Sequence, residues 1–196
     1  DPIVIGDIEK MSKSKKNTVA PEAIFQAYGV DAARLFVMSD SPPERDVQWT
    51  NAGVEGASRF IQRVWAEFEG AAPAGGSEAD DLALRQAAHR LIDAVTEGIE
   101  QFRFNSAIAK LYGFLNALKA SPSAGTARRE ALSILARLIG PFTPHLAEEC
   151  WTKLGESGLI CDAPWPVSDP ALTVLDELSL PVQVNGKRRG EIRAPA

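Results

Sequence analysis

The segment LRQAAHRLIDAVTEGIEQF, residues 84–102, carries the clearest helical signal in this chain. Its apolar residues recur at intervals of three and four, which is the spacing of one face of an α-helix. They are Leu84, Ala88, Leu91, Ile92, Val95, Ile99 and Phe102. A helix with one apolar face must bury it, so this segment predicts a helix packed among other helices.

Segments on both sides repeat the pattern. Apolar residues at helical spacing follow Asn51, follow Asn105 and mark the stretch 132–139, and a last helix is predicted from Pro144 to Leu154. Asn51 and Asn105 are expected to act as N-caps. Flexible or turn-forming residues separate the helices at 70–79 and 121–126. The sequence therefore predicts a mainly α fold, an antiparallel bundle of four or five helices over about residues 50–155.

The two ends differ from the bundle. Residues 2–5 predict a short strand, Pro21 to Tyr28 a short helix, and Asp31 the N-cap of a helix through Ser39. Near the other end, Asn185-Gly186 is a strong hairpin signal between residues 182–184 and a return strand at 190–193. We expect short β pieces at both ends, so that the chain begins inside one domain and ends inside another.

Composition excludes several classes of protein. The chain has 196 residues, 45% hydrophobic and 24% charged, and a net charge of −5, which is ordinary for a soluble protein. The acidic total argues against a non-specific nucleic-acid binder, although local basic patches remain compatible with RNA. Cys150 and Cys161 are too few for a zinc site or a disulfide framework, and we expect both to be buried in a reduced protein. The absence of an 18-residue apolar run predicts no membrane span.

One polar loop stands out for its lysines. Lys10-Met11-Ser12-Lys13-Ser14 is followed by Lys15 and Lys16, so four lysines fall within seven residues. Ammonium groups at this spacing can approach a polyphosphate from two sides as mobile point charges. A charge run of this kind is often only a solvated loop, and that alternative has to be weighed against phosphate binding.

The lysine loop is identical to the second signature of class I aminoacyl-tRNA synthetases. Later stretches resemble the bacterial leucyl enzymes, and Lys15-Lys16-Asn17 departs from the Leu-Gly-Asn that usually follows the signature in isoleucyl and valyl enzymes. Residues 28–34 resemble the segment that follows the signature in the leucyl, isoleucyl, valyl and methionyl enzymes, and the stretches 48–65, 141–151 and 182–187 carry the leucyl resemblance. The whole chain is thus similar to the C-terminal part of bacterial-type leucyl-tRNA synthetases.

The resemblance implies a function in the ATP-dependent ligation of leucine to tRNA(Leu). It implies that residues 1–50 end a catalytic domain, 51–168 form the helical anticodon-binding domain, and 169–196 open a further α/β domain. ATP with Mg2+, leucine and tRNA are the implied ligands of the full-length enzyme, with no metal site in this chain. The resemblance also implies a cytoplasmic monomer without membrane contact, and a fragment that is inactive by itself.

The resemblance assigns ATP binding to all five residues of the lysine loop. Lys13 is the first candidate and Lys10 the second for stabilising the charge that develops on the departing phosphates. Met11 is expected to form part of the surface that faces the nucleotide. Ser12 and Ser14 are expected to shape the loop rather than to do chemistry.

Contacts with tRNA are predicted more weakly. Arg59 and Arg63 are four residues apart on one predicted helix and could bind consecutive phosphates. Lys187, Arg188 and Arg189 follow the hairpin turn. For each of these residues, solvation of the surface is at least as good an explanation as RNA binding.

Asp31 and Arg34 are predicted to have structural functions. Asp31 and Arg34 are expected to cap a helix and to brace the lysine loop against the bundle rather than to catalyse.

The chain could instead be a stand-alone RNA-binding helical module or a protein-interaction bundle, but neither explains the lysine loop. A related synthetase specific for isoleucine, valine or methionine is the third alternative.

Overall fold

The computed structural model describes residues 8–174, 177–184 and 187–195. Within these ranges the chain forms eight α-helices, a 3₁₀ turn and two strands. They are α1 (Pro21–Tyr28), α2 (Val30–Asp40), α3 (Asn51–Glu69), α4 (Glu78–Glu100), α5 (Phe104–Ala120), α6 (Gly125–Ile139), α7 (Pro144–Lys153), a 3₁₀ turn (Ile160–Asp162), α8 (Pro170–Thr173), β1 (Glu177–Val184) and β2 (Lys187–Pro195).

Helices α3–α7 form the predicted bundle. The segment around residues 84–102 is the long helix α4, which packs against α5 and α6, while α3 packs against α5 and α7. Its apolar residues from Leu84 to Val95 lie in one continuous core with the stripes of the neighbouring helices, and Ile99 packs against that core. Phe102 lies beyond the end of α4 and is 63% exposed, which corrects its place in the predicted stripe. The largest side chains that are almost fully buried include Phe60, Leu111, Leu115, Leu135 and Phe142. The mainly α bundle predicted from periodicity is confirmed.

Helix α2 connects the lysine loop to this bundle. It packs against α3 and α5, and it also contacts α1 and α7. Leu35 and Phe36 of α2 are buried in the same core, and Phe36 meets Trp49 edge to face at 5.1 Å between ring centroids. The loop therefore leads, through α1, into an element that is part of the bundle core.

All three predicted N-caps are wrong. Helix α2 begins at Val30 after Gly29, and Asp31 lies within it, where its carboxylate serves another helix. Thr50 rather than Asn51 caps α3, because its hydroxyl accepts the Gly53 N–H at 3.1 Å. Helix α5 begins at Phe104, which leaves Asn105 inside its first turn. A short polar side chain near a helix start has several possible partners, and the fold selects among them.

The strands confirm the predicted hairpin pairing. β1 and β2 are antiparallel, with Val184 opposite Lys187 and an irregularity between Val182 and Gln183. In the described part of the chain they form a two-stranded sheet with no third strand. The predicted Asn185-Gly186 turn and the predicted strand at residues 2–5 lie outside the described residues.

The cysteines differ from one another. Cys150 is buried, and burial followed by the nearby Glu149 charge raises the pKa of its thiol to about 12. Cys161 is exposed, which corrects the expectation that both cysteines are buried. None of the helices in the described ranges is long and apolar enough to cross a bilayer.

Candidate nucleotide loop and RNA-facing surface

The lysine loop folds into a tight turn that Asn17 holds closed. The Lys16 N–H donates to the Lys13 carbonyl at 3.2 Å, and Lys16 has a left-handed φ of 54°. The Asn17 side-chain oxygen accepts the Ser12 N–H at 2.8 Å, while its amide nitrogen donates to the Lys10 carbonyl at 3.3 Å. Asn17 thus holds both ends of the turn together. This function was not predicted from the sequence, although asparagine is a common turn residue.

The serines make hydrogen bonds within the same turn. Ser12 Oγ accepts the Lys15 N–H at 3.3 Å and lies 3.2 Å from Ser14 Oγ. This is the shaping function that the sequence predicted for both serines. Direct contact of either serine with ATP stays a prediction.

The lysines divide into one that is paired and others that are presented to solvent. Lys15 Nζ lies 2.8 Å from Glu9 Oε2 in an exposed ion pair. Lys10, Lys13 and Lys16 are exposed, and among the described residues none of them has a carboxylate at ion-pair distance. Exposed ammonium groups that are not already neutralised can close on a polyanion with little reorganisation.

An apolar cavity of about 410 Å³ lies between the lysine loop and helices α1 and α2. Met11 is 41% exposed and lines it from the loop side, and Phe25, Val37, Met38 and Trp49 are among its other walls. In this structure Met11 is therefore oriented toward an apolar surface. Its contact with a nucleotide stays a prediction.

Asp31 and Arg34 join α2 to the start of α7. Asp31 Oδ2 accepts the Leu146 N–H at 2.8 Å, and Oδ1 lies 2.9 Å from His145 Nδ1. Arg34 Nη2 donates to the Pro141 carbonyl at 2.8 Å. Asp31 and Arg34 therefore brace α2 against α7 and the turn before it, and Asp31 caps α7 rather than its own helix. The predicted brace of the lysine loop itself stays a prediction.

The first turn of α7 needs that carboxylate. Thr143 stands at the N-cap position, yet its hydroxyl donates to the Ile139 carbonyl at 3.3 Å and makes no cap. The helix N-terminus therefore offers a free backbone N–H and a positive end of the helix dipole, which the buried Asp31 satisfies. No local sequence signal could have paired residues 115 positions apart.

Arg59 and Arg63 lie on one surface with residues of α5. Arg63 donates to the Asn116 side chain, and Arg59 Nη1 lies 3.8 Å from Glu55 Oε2. Tyr112 stacks on Phe60 at 4.1 Å between ring centroids, beside both arginines. Burial raises the pKa of Tyr112, and the two guanidinium charges oppose that rise. We name Arg59, Arg63, Tyr112 and Asn116 the α3–α5 patch.

The other predicted RNA contacts lie on β2. Lys187 and Arg189 are exposed, and the side chain of Arg188 lies outside the described part of the structure. The predicted phosphate contacts therefore fall on three elements of the chain: the lysine loop, the α3–α5 patch and β2. In the described ranges, no group of three histidine, cysteine, aspartate or glutamate side chains is arranged to hold a metal ion.

Family comparisons match the two parts of this arrangement. Residues 81–196 match the family described as the anticodon-binding domain of tRNA ligase. Residues 3–50 match the family described as class I tRNA synthetases (I, L, M and V). The boundary of the second match falls where α3 begins.

Individual proteins give a finer comparison. A leucine–tRNA ligase of Caulobacter vibrioides (strain NA1000 / CB15N) is 66% identical to the whole chain, which covers 24% of that protein. The leucine–tRNA ligase of Phenylobacterium zucineum (strain HLK1) is 62% identical, again over 100% of the chain and 24% of the relative. The chain therefore spans about a quarter of the length of the curated relatives it matches.

Solved structures share the fold. The ternary complex of Agrobacterium radiobacter K84 agnB2 LeuRS with tRNA and LeuAMS matches with a TM-score of 0.75 and 28% identity, over 95% of this chain and 26% of that one. The apo form of Mycobacterium tuberculosis methionyl-tRNA synthetase matches over 71% of this chain and 35% of that one, with a TM-score of 0.52; at 22% identity it supports the fold alone. The resemblance to bacterial leucyl enzymes is confirmed.

Proposed function

Because this chain belongs to the family of tRNA ligase anticodon-binding domains, we propose that it is the C-terminal part of a leucine–tRNA ligase. In this proposal it supplies the lysine loop that contacts ATP and the helical bundle that binds tRNA(Leu). The observation that carries the proposal is one continuous match to leucine–tRNA ligases at 66% identity, which spans loop, brace and bundle together.

The proposed reaction has two steps. A carboxylate oxygen of leucine attacks the α-phosphorus of ATP, which reaches the site as its Mg2+ complex, and the bond to pyrophosphate breaks. The resulting leucyl adenylate then gives its acyl group to a hydroxyl of the terminal adenosine of tRNA, releasing AMP. Negative charge moves onto the departing phosphates in the first step, so cations placed there stabilise its transition state.

We assign that stabilisation to Lys13 first and Lys10 second. Both are exposed, and the turn held by Asn17 fixes the backbone from which both extend. Lys15 is a poorer candidate because Glu9 already pairs with it. The five residues Lys10–Ser14 form the proposed ATP contact, with the serines acting through the shape of the turn.

The proposed division of labour follows the elements. Residues 1–50 belong with the catalytic domain, 51–168 form the tRNA-binding bundle, and 169–196 open a further domain. Arg59 and Arg63 are proposed to contact tRNA phosphates from the α3–α5 patch, and Lys187, Arg188 and Arg189 from β2. Since the relatives are about four times as long, we expect the 196-residue chain alone to give no leucylation. The full-length enzyme is proposed to act as a cytoplasmic monomer.

Amino-acid-dependent ATP–pyrophosphate exchange by the full-length enzyme tests this proposal. We expect exchange with leucine and not with isoleucine, valine or methionine. Lys13→Ala should lower the exchange rate by about 100-fold, the order found when one group that stabilises developing charge is removed, with a smaller change in the Michaelis constant for ATP.

Lys15→Ala is the matched control. It removes a lysine from the same turn, but the charge of that lysine is already paired with Glu9. We expect this variant to keep most of the activity. Exchange with a different amino acid would move the specificity within the family, and no exchange with any of the four would overturn the assignment as a ligase.

A further inference from the structure

A small cleft lies where α2 packs against α5, at the end of α2 and the first half of α5. It has a volume of about 350 Å³, and we name its five lining residues the α2–α5 cleft: Ser39, Asn105, Ile108, Ala109 and Tyr112. That volume is near the lower end of the range for small-molecule sites, about 300–1,000 Å³. The cleft is therefore large enough for one planar ring system and too small for a helix.

Two polar side chains of the cleft are available to a ligand. Ser39 Oγ is already engaged, because it donates to the Phe36 carbonyl at 3.1 Å. In the part of the chain that the structure describes, neither the side-chain amide of Asn105 nor the hydroxyl of Tyr112 makes a hydrogen bond. Both residues are half-buried, so a group that enters the cleft exchanges their contacts with water for its own.

Tyr112 is held in place before any ligand arrives. Its ring stacks on Phe60, with the two planes 22° apart, and Phe60 is only 1% exposed. Burial raises the pKa of the Tyr112 phenol, so the hydroxyl keeps its proton at neutral pH and can donate. Because this side chain loses little freedom on binding, more of its interaction energy contributes to affinity.

The helix that forms most of the cleft carries no acidic residue. From position 101 to position 129 the sequence has no aspartate or glutamate, although the whole chain has 26 of them and a net charge of −5. The charged residues of α5 are Lys110 and Lys119, and both are exposed. The surface of α5 is therefore locally positive in an acidic protein, which favours a polyanion as its ligand.

The α2–α5 cleft adjoins the α3–α5 patch. Asn105, Tyr112 and Asn116 follow one another at intervals of seven and four residues, which places them along one face of α5. Tyr112 belongs to both surfaces, and Arg59 and Arg63 are close enough for their charges to act on its hydroxyl. Arg63 is also tied to this face, because it donates to Asn116. The cleft thus has two guanidinium groups beside it.

A nucleobase on a phosphate backbone is the ligand chemistry that fits this combination. The Asn105 amide presents a donor and an acceptor together, as the edges of nucleobases do. Sequence-specific binding of RNA uses unpaired bases, which are held against aromatic side chains and hydrogen-bonded along their edges. Arginines beside such a site can contact the adjoining phosphates, which position the RNA but carry no sequence information.

We propose that the α2–α5 cleft receives one unpaired nucleobase of tRNA, with the Asn105 amide and the Tyr112 hydroxyl as its hydrogen-bond partners. Arg59 and Arg63 contact the phosphates on either side of it. This inference rests on the proposed function, and it extends the contact with tRNA from phosphates to a base.

Affinity of the full-length enzyme for a tRNA(Leu) transcript, measured over a range of salt concentrations, tests the proposal. Asn105→Ala and Tyr112→Phe should each weaken binding by about two- to tenfold, the effect of one lost hydrogen bond. The slope of log affinity against log salt should stay unchanged in both variants, whereas Arg63→Ala should reduce it by about one. Ser106→Ala is the matched control, because Ser106 is exposed in the same turn as Asn105 and does not line the cleft.

Chemical modification of the bound tRNA identifies the base. In complexes with the wild-type enzyme and with Ser106→Ala, one unpaired base should be protected from a reagent that attacks base edges. That protection should be lost with Asn105→Ala and with Tyr112→Phe. Leucine-dependent ATP–pyrophosphate exchange, measured without tRNA, should be equal in all these proteins and shows that each variant is folded.

Three results would overturn the proposal. They are wild-type affinity in both cleft variants, a salt slope that falls in them as it does in Arg63→Ala, and the same pattern of base protection in the variants as in the wild type. Each of these leaves the proposed function intact, because the wild-type enzyme still binds tRNA. Failure of the wild-type enzyme to bind tRNA would contradict the proposed function and the cleft proposal together.

Discussion

At the scale of single residues, two adjacent arginines of α6 allow a direct comparison of buried and exposed charge. Arg128 is buried and donates to Glu67 at 2.6 Å and to the Leu118 carbonyl at 3.2 Å. Arg129 pairs with Glu156 at 2.9 Å, but its side chain is 55% exposed. We expect Arg128→Ala to lower the free energy of unfolding by about 3–5 kcal/mol, because it leaves the Glu67 carboxylate, whose side chain is only 13% exposed, without its partner.

Arg129→Ala is the matched control and should cost at most about 1 kcal/mol, as exposed ion pairs do. Urea unfolding of both variants measures the difference. Equal destabilisation would show that the Glu67 carboxylate finds water or another donor when Arg128 is removed.

Glu130 gives a prediction about pH. Burial raises the pKa of Glu130, but the hydrogen bonds from His89 and Arg85 outweigh it and hold the pKa below its ordinary value. A lowered pKa in the folded state means that the carboxylate is favoured by folding. Its contribution to stability is therefore complete above the unfolded pKa, about 4.3, and is lost as the pH falls through the folded value.

We expect Glu130→Gln to destabilise the protein at pH 7 and to differ little from the wild type at an acid pH below the lowered folded pKa of Glu130. Glu156→Gln breaks only a half-exposed pair and should have a small effect at either pH. Urea unfolding at the two pH values checks this. A Glu130→Gln deficit that persisted at low pH would assign the effect to packing rather than to charge.

At the scale of elements, two glycines in neighbouring helices should respond oppositely to the same substitution. A Cβ at Gly98 of α4 would lie 2.9 Å from the Ala107 Cβ of α5, so this glycine sets how closely the two helices approach. Gly98→Ala should cost about 1–3 kcal/mol by forcing the helices apart. Gly113 of α5 has nothing within 4 Å of its Cβ position, so Gly113→Ala should stabilise by about 0.5–1 kcal/mol.

Thermal unfolding of the two single variants is sufficient to check this pair. If Gly98→Ala were as stable as the wild type, α4 and α5 would be able to separate at little cost. In that case the contact at Ala107 would not limit their spacing.

The extents of the helices were predictable from sequence because burial imposes the same 3.6-residue period along each of them. Their caps were not, since a cap depends on which polar partners the tertiary fold brings near. Thr50 caps α3 locally, whereas α7 takes its cap from Asp31, far away in sequence. Ser77 and Asp80, three residues apart at the start of α4, form a reciprocal capping box of the kind that sequence can reveal.

At the scale of the whole molecule, the lysines of the candidate site could be predicted from sequence, but the residues that hold the site in place could not. The string at residues 10–14 can be recognised from the sequence alone, because its charges and their spacing lie within five consecutive residues. The closure of the turn by Asn17 and the stacking of Tyr112 beside Arg59 and Arg63 depend on folded geometry. The same holds for His89, whose partners are Glu130 of α6 and the Asp169 N–H.

The brace between α2 and α7 leads to a prediction about coupling between the two proposed steps. In the proposed reaction, exchange of pyrophosphate needs ATP bound at the lysine loop, whereas transfer also needs tRNA bound by the bundle, with loop and bundle held in one arrangement. Asp31 and Arg34 supply the polar contacts between α2 and the start of α7. We therefore expect Asp31→Ala and Arg34→Ala in the full-length enzyme to reduce leucylation of tRNA several-fold more than leucine-dependent exchange.

His145→Ala serves as the control for this comparison, because it removes the exposed partner of Asp31 and leaves the hydrogen bond to the Leu146 N–H in place. Removing a helix cap costs about 0.5–2 kcal/mol of stability. In a variant that remains folded at the assay temperature, a loss of leucylation therefore reports lost coupling and not unfolding. If leucylation and exchange fell by the same factor in Asp31→Ala and Arg34→Ala, the brace would act only on the loop. A selective loss of leucylation would instead mean that the bundle sets the position of the lysine loop through α2. Binding of tRNA to the bundle would then change the arrangement of the loop.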